Sequence, residues 1–152
     1  MVILKHFEWE DAEAIRKEMY PDMSISDIRD MISGWNRCVY EDRFFEMFAV
    51  LADERIVGTV SLYEHSPHVV SAGAEIFGKE RRKGYASGAL ALLEDHASEK
   101  GYRLILNQVR TDNAASIRLH EKLLFESDKA VYRNRRDHEV YLYLKIIPTC
   151  HA

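Results

Sequence analysis

Two stretches of the chain place ligand-binding or reactive residue types at spacings that chemistry can use. The first is "ERRKGYASGAL", Glu80 to Leu90. Arg81, Arg82 and Lys83 precede Gly84, and Tyr85, Ala86 and Ser87 then open a run with helical spacing. The first turn of a helix has unpaired N–H groups and the positive end of the helix dipole. Phosphate binds there readily, and a glycine lets the anion approach the backbone. The same residues also fit a solvated basic loop ahead of a helix, because short glycine motifs are common. The second stretch is "VRTDNAASIRLHEKLLF". Asn113 stands at a helix start, and Ser116 and His120 follow one turn apart, so the three project from nearby faces. Taken alone, Asn113 also reads as a helix N-cap.

These residues need a scaffold. Val2–Phe7 reads as a strand. Trp9–Tyr20 reads as a helix stopped by Pro21, and Ser24–Tyr40 as a second helical region capped at Ser24. Phe44–Leu51 and Ile56–Tyr63 are strand-like and joined by the tight turn "ADER". Val69–Phe77 is a further strand with small residues in its middle, where Gly73 suggests a bulge or a close approach. Ala86–Lys100 is a helix ended by Gly101. A strand at Tyr102–Arg110, a helix at Ala114–Leu123 and two closing strands near Glu126–Tyr132 and Glu139–Ile146 complete the order. The expected architecture is a single mixed α/β domain over residues 1–152, with a largely antiparallel sheet of about seven strands and about four helices.

Composition narrows the function. The net charge of −4 argues against general nucleic-acid binding. The charge is uneven: residues 1–77 carry 7 Lys/Arg against 15 Asp/Glu, and residues 78–152 carry 14 against 10. The two halves are therefore suited to ligands of opposite sign. No apolar run approaches the ~18 residues of a membrane span, so no membrane partner is expected. The N-terminal apolar run lacks a preceding basic region and a small-residue cleavage site, so a secretory signal is not expected. Cys38 and Cys150 match no metal or redox spacing, and a reduced, cytoplasmic setting is the expectation. His65 and His68 lie three apart, but no third ligand completes a metal set, and Pro67 between them suits a plain turn.

Together the two motifs resemble those of the GNAT superfamily of N-acetyltransferases. The family loop Arg/Gln-x-x-Gly-x-Gly/Ala is matched by Arg81, Gly84 and Ala86. The later Asn-x-x-Ala-x-x-x-Tyr-x-x-x-Gly-Phe is matched in part by Asn113, Ser116, His120, Leu124 and Phe125. The element order agrees over nearly the whole chain. The resemblance implies acetyl-coenzyme A as co-substrate and an amine as acceptor. It places the pyrophosphate at Arg81, Arg82, Lys83, Gly84, Tyr85, Ala86 and Ser87. Pantetheine and the thioester carbonyl would lie against the strand at Glu75, Ile76 and Phe77, with Asn113 and Ser116 along the pantetheine arm.

Three positions depart from the family pattern. His120 occupies the position of a family tyrosine that protonates the leaving thiolate, which makes it a candidate general acid. Leu124 replaces the glycine that follows, so the turn into the next strand is open to change. Ribosomal-protein alanine acetyltransferases resemble "LILNQVR" but carry a glutamate where Gln108 stands. Glutamine is no base, so Glu75 and Glu64 become candidates for deprotonating the amine. These departures keep a second reading open: a GNAT-fold protein that binds acyl-coenzyme A and regulates without catalysis. A third is an unrelated nucleotide-phosphate module. The acidic first half (Asp22, Asp27, Asp30, Glu41, Asp42 and Glu46) suggests a cationic acceptor or a peptide N-terminus. The sequence leaves oligomeric state open, a homodimer included.

Overall fold

The computed structural model describes residues 1–148; Cys150 lies outside them. The strands are β1 (Ile3–His6), β2 (Val39–Tyr40), β3 (Arg43–Ala52), β4 (Arg55–Ser66), β5 (Val69–Ile76), β6 (Leu104–Arg110), β7 (Tyr132–Arg133) and β8 (Glu139–Ile146). The helices are α1 (Ala12–Met19), α2 (Ile25–Trp35), α3 (Tyr85–Glu99) and α4 (Ala114–Lys122). The main sheet runs β1-β3-β4-β5-β6-β8-β7, with β2 paired to β3. Every pairing is antiparallel except β5–β6. The expected mixed sheet is present, with shorter ends. The first predicted helix begins as a 3-10 turn at Trp9–Asp11, and the second stops at Trp35 so that Val39–Tyr40 can pair with β3. Of the predicted strand at Glu126–Tyr132, only a bridge from Glu126 to Leu144 and the start of β7 form.

Both sheet faces are covered. Ile15 of α1 and Ile28 and Ile32 of α2 bury themselves with Phe7, Ala49 and Phe77 on one side. On the other, Ala89, Leu93 and Ala97 of α3 pack with Val50, Val60, Leu62 and Val70, and this core continues through Ile105, Phe125 and Tyr143. On the α3 side lies Glu46, buried and accepting from His96 Nε2 at 2.6 Å and His6 Nε2 at 2.7 Å, with both rings in their donor tautomer. Burial pushes its carboxyl up, but the His96 and His6 hydrogen bonds outweigh that and hold it below the usual carboxylate range. Glu46 thus joins β1, β3 and α3 and is not available to line an acceptor cleft.

The defining irregularity is between β5 and β6. Their parallel ladder holds only Val69–Leu104 and Val70–Ile105, after which the strands separate. A second irregularity is a bulge in β4. Its register against β5 runs unbroken from Gly58–Ile76 to Glu64–Val70, then jumps to Ser66–Val69, leaving His65 as the extra residue. The bulge suggested for the Gly73 region lies here instead, at the other end of the strand pair.

Helices α3 and α4 end in the same motif with different residues. After α3, Gly101 N–H donates to Ser98 O and Tyr102 N–H to Ala97 O, with Gly101 at φ +93°. After α4, Leu124 N–H donates to Glu121 O and Phe125 N–H to His120 O, with Leu124 at φ +67°. Both are Schellman caps, in which the left-handed residue is normally glycine. The turn after α4 is therefore kept despite the leucine, and it seats the Phe125 ring 4.8 Å from His120. Leu124 is 78% exposed, so its side chain gains little burial in return. Leu124→Gly should stabilise the fold by about 0.5–1 kcal/mol, the left-handed strain less the extra freedom of an unfolded glycine. Thermal unfolding should rise by about 1–4 °C, whereas Leu124→Ala, which keeps the strain, should give no such gain.

Candidate active site

The separation of β5 from β6 exposes backbone groups in mid-sheet, and side chains splint the fork. Asn107 of β6 is buried where "LILNQVR" alternation calls for an apolar residue. Its Oδ1 accepts from Ala72 N–H and its Nδ2 donates to Ala72 O, both at 2.9 Å. The amide thus takes the place of a missing strand partner. Ser71 Oγ of β5 makes the reciprocal bond, donating to Leu106 O at 2.6 Å.

His120 completes the splint. Asn107 is oriented by both Ala72 groups, so its second Nδ2 hydrogen points to His120 Nε2 at 3.0 Å, which must accept. The proton is then on Nδ1, which donates to Ser116 O at 2.7 Å. Burial pushes the His120 pKa down, only partly offset by the bond to Ser116. The ring is neutral, 6% exposed, and has both nitrogens engaged by protein. The expected proton donor is therefore buried at the cleft wall with its Nδ1 hydrogen directed to Ser116 O.

Beyond the fork, the alternation of an extended strand decides which backbone groups are free. Phe77 N–H donates to Val57 O of β4, so odd-numbered residues of this strand, Glu75 included, turn their backbone toward β4. Even-numbered residues turn toward the opening. Of these, Ala72 is satisfied by Asn107, and Ile76 O accepts from Arg81 Nε at 3.1 Å. Ala74 N–H and C=O and the Ile76 N–H face the gap. Of the three strand positions predicted for the cofactor, Ile76 offers an amide, Phe77 does not, and the Glu75 side chain is exposed on the sheet face opposite α3.

The second predicted element is the start of α3. Gly84 is its N-cap at φ +82° with no side-chain cap, and the first intrahelical bond is Gly88 N–H to Gly84 O at 3.1 Å. The Tyr85, Ala86 and Ser87 N–H groups precede it and have no helical acceptor. A Cβ on Gly84 would meet nothing within 4 Å, so the approach to these donors is open. The basic side chains divide. Lys83 Nζ is tied to Glu80 at 3.1 Å, and Glu80 also takes a two-pronged bond from Arg55 at 2.9 and 3.1 Å. Arg81 Nε donates to Ile76 O, and Arg82, exposed and left-handed at φ +65°, is free of protein partners among the described residues. At α4, Asn113 Oδ1 caps the helix by accepting from Ser116 N–H at 3.1 Å, which fixes Ser116 at the cleft wall.

The fork opens a cleft of about 470 Å³ that passes through the sheet. Ser116 and His120 line it on the α4 side. Ser61, Tyr63, His65, Ser71, Gly73 and Gln108 line the other. None of these is a carboxylate. Glu64, one candidate base, instead accepts from Tyr102 OH at 2.8 Å. Sequence reasoning did not place Asn107, Ser71 and His65 at the cleft. A polar residue at a core position of the alternating "ILNQV" strand was the available signal for Asn107.

A parallel pair splays apart within an antiparallel sheet, and an uncapped helix start stands beside it. The chain belongs to the GNAT acetyltransferase family, whose domain model matches residues 2–126. No curated protein matches it. Among solved structures, the acetyl transferase from Salmonella typhimurium that modifies the N-terminal serine of ribosomal protein L7/L12 superposes with a TM-score of 0.82 at 16% identity, over 97% of this chain and 95% of that one. A ribosomal L7/L12 α-N-protein acetyltransferase in complex with coenzyme A gives 0.82 at 17%, over 96% and 94%. The spermidine N-acetyltransferase of Vibrio cholerae, in complex with CoA and spermine, gives 0.76 at 17%, over 96% and 95%. At these identities the likeness establishes the fold.

Two consequences are measurable. Asn107→Ala leaves Ala72 N–H, Ala72 O and His120 Nε2 without their partner, so it should cost about 2–4 kcal/mol, read as a lower denaturant midpoint. Glu80 is held down to about 2 by its hydrogen bonds from Arg55 and then Lys83. A carboxyl with a depressed folded-state pKa adds stability that is present above its unfolded value, ~4.3, and lost as pH falls through the folded one. The denaturation midpoint should therefore drop between pH ~4.3 and about 2, and Glu80→Gln should flatten that part of the profile.

Proposed function

We propose that the protein transfers an acetyl group from acetyl-coenzyme A to a primary amine, by direct attack of the amine. The observation that carries this reading is the pairing of an unfilled strand edge at Ala74 with an uncapped, glycine-opened helix start at Gly84 on one side of the same fork. The co-substrate supplies a thioester carbonyl open to amine attack. The N–H groups of Tyr85, Ala86 and Ser87 suit its pyrophosphate, and the free Arg82 guanidinium adds charge beside them. Ala74 N–H and C=O and Ile76 N–H suit the amides of the pantetheine arm. An N–H held at that edge also stabilises negative charge as it develops on the carbonyl oxygen. Its value lies in being fixed beforehand, which is what the splint ensures. Ser116 Oγ, at the wall of the cleft, is placed to hydrogen-bond the leaving sulfur.

His120 enters this reading as a positioning residue. It holds Asn107, which holds the divergence of β5. Glu75 is kept as a surface carboxylate that lies outside the cleft lining. The acceptor is a peptide N-terminus or a small cationic amine, reached from the face bearing Tyr63 and Gln108. Much of the rate comes from orientation of amine against thioester, so a shaped cleft matters more than a strong base.

The test is calorimetric titration with coenzyme A followed by thioester consumption across a panel of primary amines. Binding of coenzyme A and not ATP, with turnover of at least one amine, is the expected result. Binding without any turnover would favour the regulatory alternative. Gly84→Glu should weaken coenzyme A binding at least tenfold, through charge and bulk at the phosphate site, whereas Gly84→Asn, which tolerates the left-handed backbone, should bind more tightly than the Glu variant.

A further inference from the structure

We propose that His65 is the general base that takes the proton from the attacking amine, and that the acceptor is accordingly a weakly basic amine such as a peptide α-amino group. This rests on the transferase reading above. His65 lines the cleft on the acceptor side, opposite Ser116 and His120. It is the extra residue of the β4 bulge, and bulges re-aim side chains, often beside active sites. Two contacts fix it there. Arg43 Nη1 donates to the His65 carbonyl, satisfying a group that the bulge removes from the ladder. The Tyr63 ring meets the imidazole edge-on at 5.3 Å.

The hydrogen bonds assign the tautomer. Ser71 has one hydroxyl hydrogen, and it goes to Leu106 O, which only accepts. His65 Nε2, 2.6 Å from Ser71 Oγ, must therefore be the donor. Nδ1 is left with a lone pair and has no partner among the described residues. A proton arriving at Nδ1 leaves the Nε2–H···Ser71 bond intact, so the ring can charge and discharge without rearrangement. His120 is the opposite case: protonating its Nε2 would break the bond from Asn107.

Charge around the ring points the same way. The titratable or charged groups around it are Tyr63 on its own strand, Arg43 on β3 and His120 across the cleft; its one hydrogen-bond partner, Ser71, is neutral. His65 is exposed, but partial desolvation of its ring and then Arg43 push its pKa below the ordinary value, which favours the neutral base at pH 7. Among the described residues no carboxylate forms an ion pair with it, and none lines the cleft to hold a polycation. At pH 7 about one α-amino group in ten is already unprotonated, against about one alkylamine in two thousand. A weak base with no anionic support suits the former.

In the step, the amine lone pair forms the N–C bond to the acyl carbon and the amine proton moves to Nδ1. The C–S bond breaks with its electron pair on sulfur, which takes a proton from solvent. Nδ1 then returns its proton to water.

The decisive variant is His65→Gln, with His68→Gln on the same turn as a control. Imidazole nitrogen chemical shifts of the native protein across pH should show neutral His65 as the Nε2–H tautomer, titrating below pH 6.5. His65→Gln should bind coenzyme A as the native protein does, lose at least tenfold in kcat with a peptide amine, lose the acid limb of the native pH profile, and recover partly with added imidazole. Peptide α-amines should outpace polyamines of equal concentration at pH 7. An Nδ1–H tautomer, or an unchanged kcat and pH profile in His65→Gln, overturns the base assignment alone. Faster turnover of polyamines overturns the acceptor class. Absence of turnover by the native protein with every amine overturns the transferase reading, and the base with it.

Discussion

Everything the site offers depends on two strands being held apart at a fixed point. A parallel pair that simply frayed would leave backbone N–H and C=O groups buried and unsatisfied, each at a cost comparable to a lost hydrogen bond. Here the separation is stabilised in place. The Asn107 amide reproduces on Ala72 the two bonds that a neighbouring strand would make, and the Ser71 hydroxyl supplies one donor to Leu106 O. Two residues further along, nothing among the described residues splints the edge, and Ala74 is left with polar groups facing a gap. The change from satisfied to unsatisfied backbone within two residues creates a ligand edge inside an otherwise complete sheet.

That constraint assigns different work to two histidines lining one cleft. His120 is drawn into the splint from the α4 side, where the Schellman turn at Leu124 also sets Phe125 against it. Its ring is consumed by structure. His65 comes from the other side on a bulge, tethered by one nitrogen to the hydroxyl that holds the second half of the splint. The strand divergence, the neutral structural imidazole and the available imidazole are thus parts of one hydrogen-bond system running from Ser116 O to His65. The charges follow a similar division. Glu46 and Glu64 of the acidic first half are engaged by histidines and a tyrosine, and Glu80 by basic side chains, so these three carboxylates hold structure together.

Much of the scaffold was legible because its elements carry strong local signals. The Ser24 cap, the Pro21 stop, the Gly101 terminus and the apolar period of α3 each act over a few residues. The short β7 and the bridge at Glu126 were not, because strands of one or two residues are created by a partner and have no period of their own. The loop from Arg81 to Ala86 was readable as an anion site, but its side chains could not be apportioned. Whether Lys83 meets a phosphate or Glu80 depends on Arg55, distant in sequence, arriving at the same carboxylate.

The sequence by itself determined the family, the order of the elements and the helix start that suits a phosphate. Those rest on residues close together in the chain, whose conformations short-range sterics and hydrogen bonding decide. Tertiary structure alone decided which residues face the cleft and with what chemistry. His65 reads as part of a plain turn until the register against β5 makes it a bulge, and His120 reads as an acid until Asn107 saturates it. A side chain's protonation and tautomer are set by the partners that reach it, and here those partners come from strands and helices folded together from across the chain.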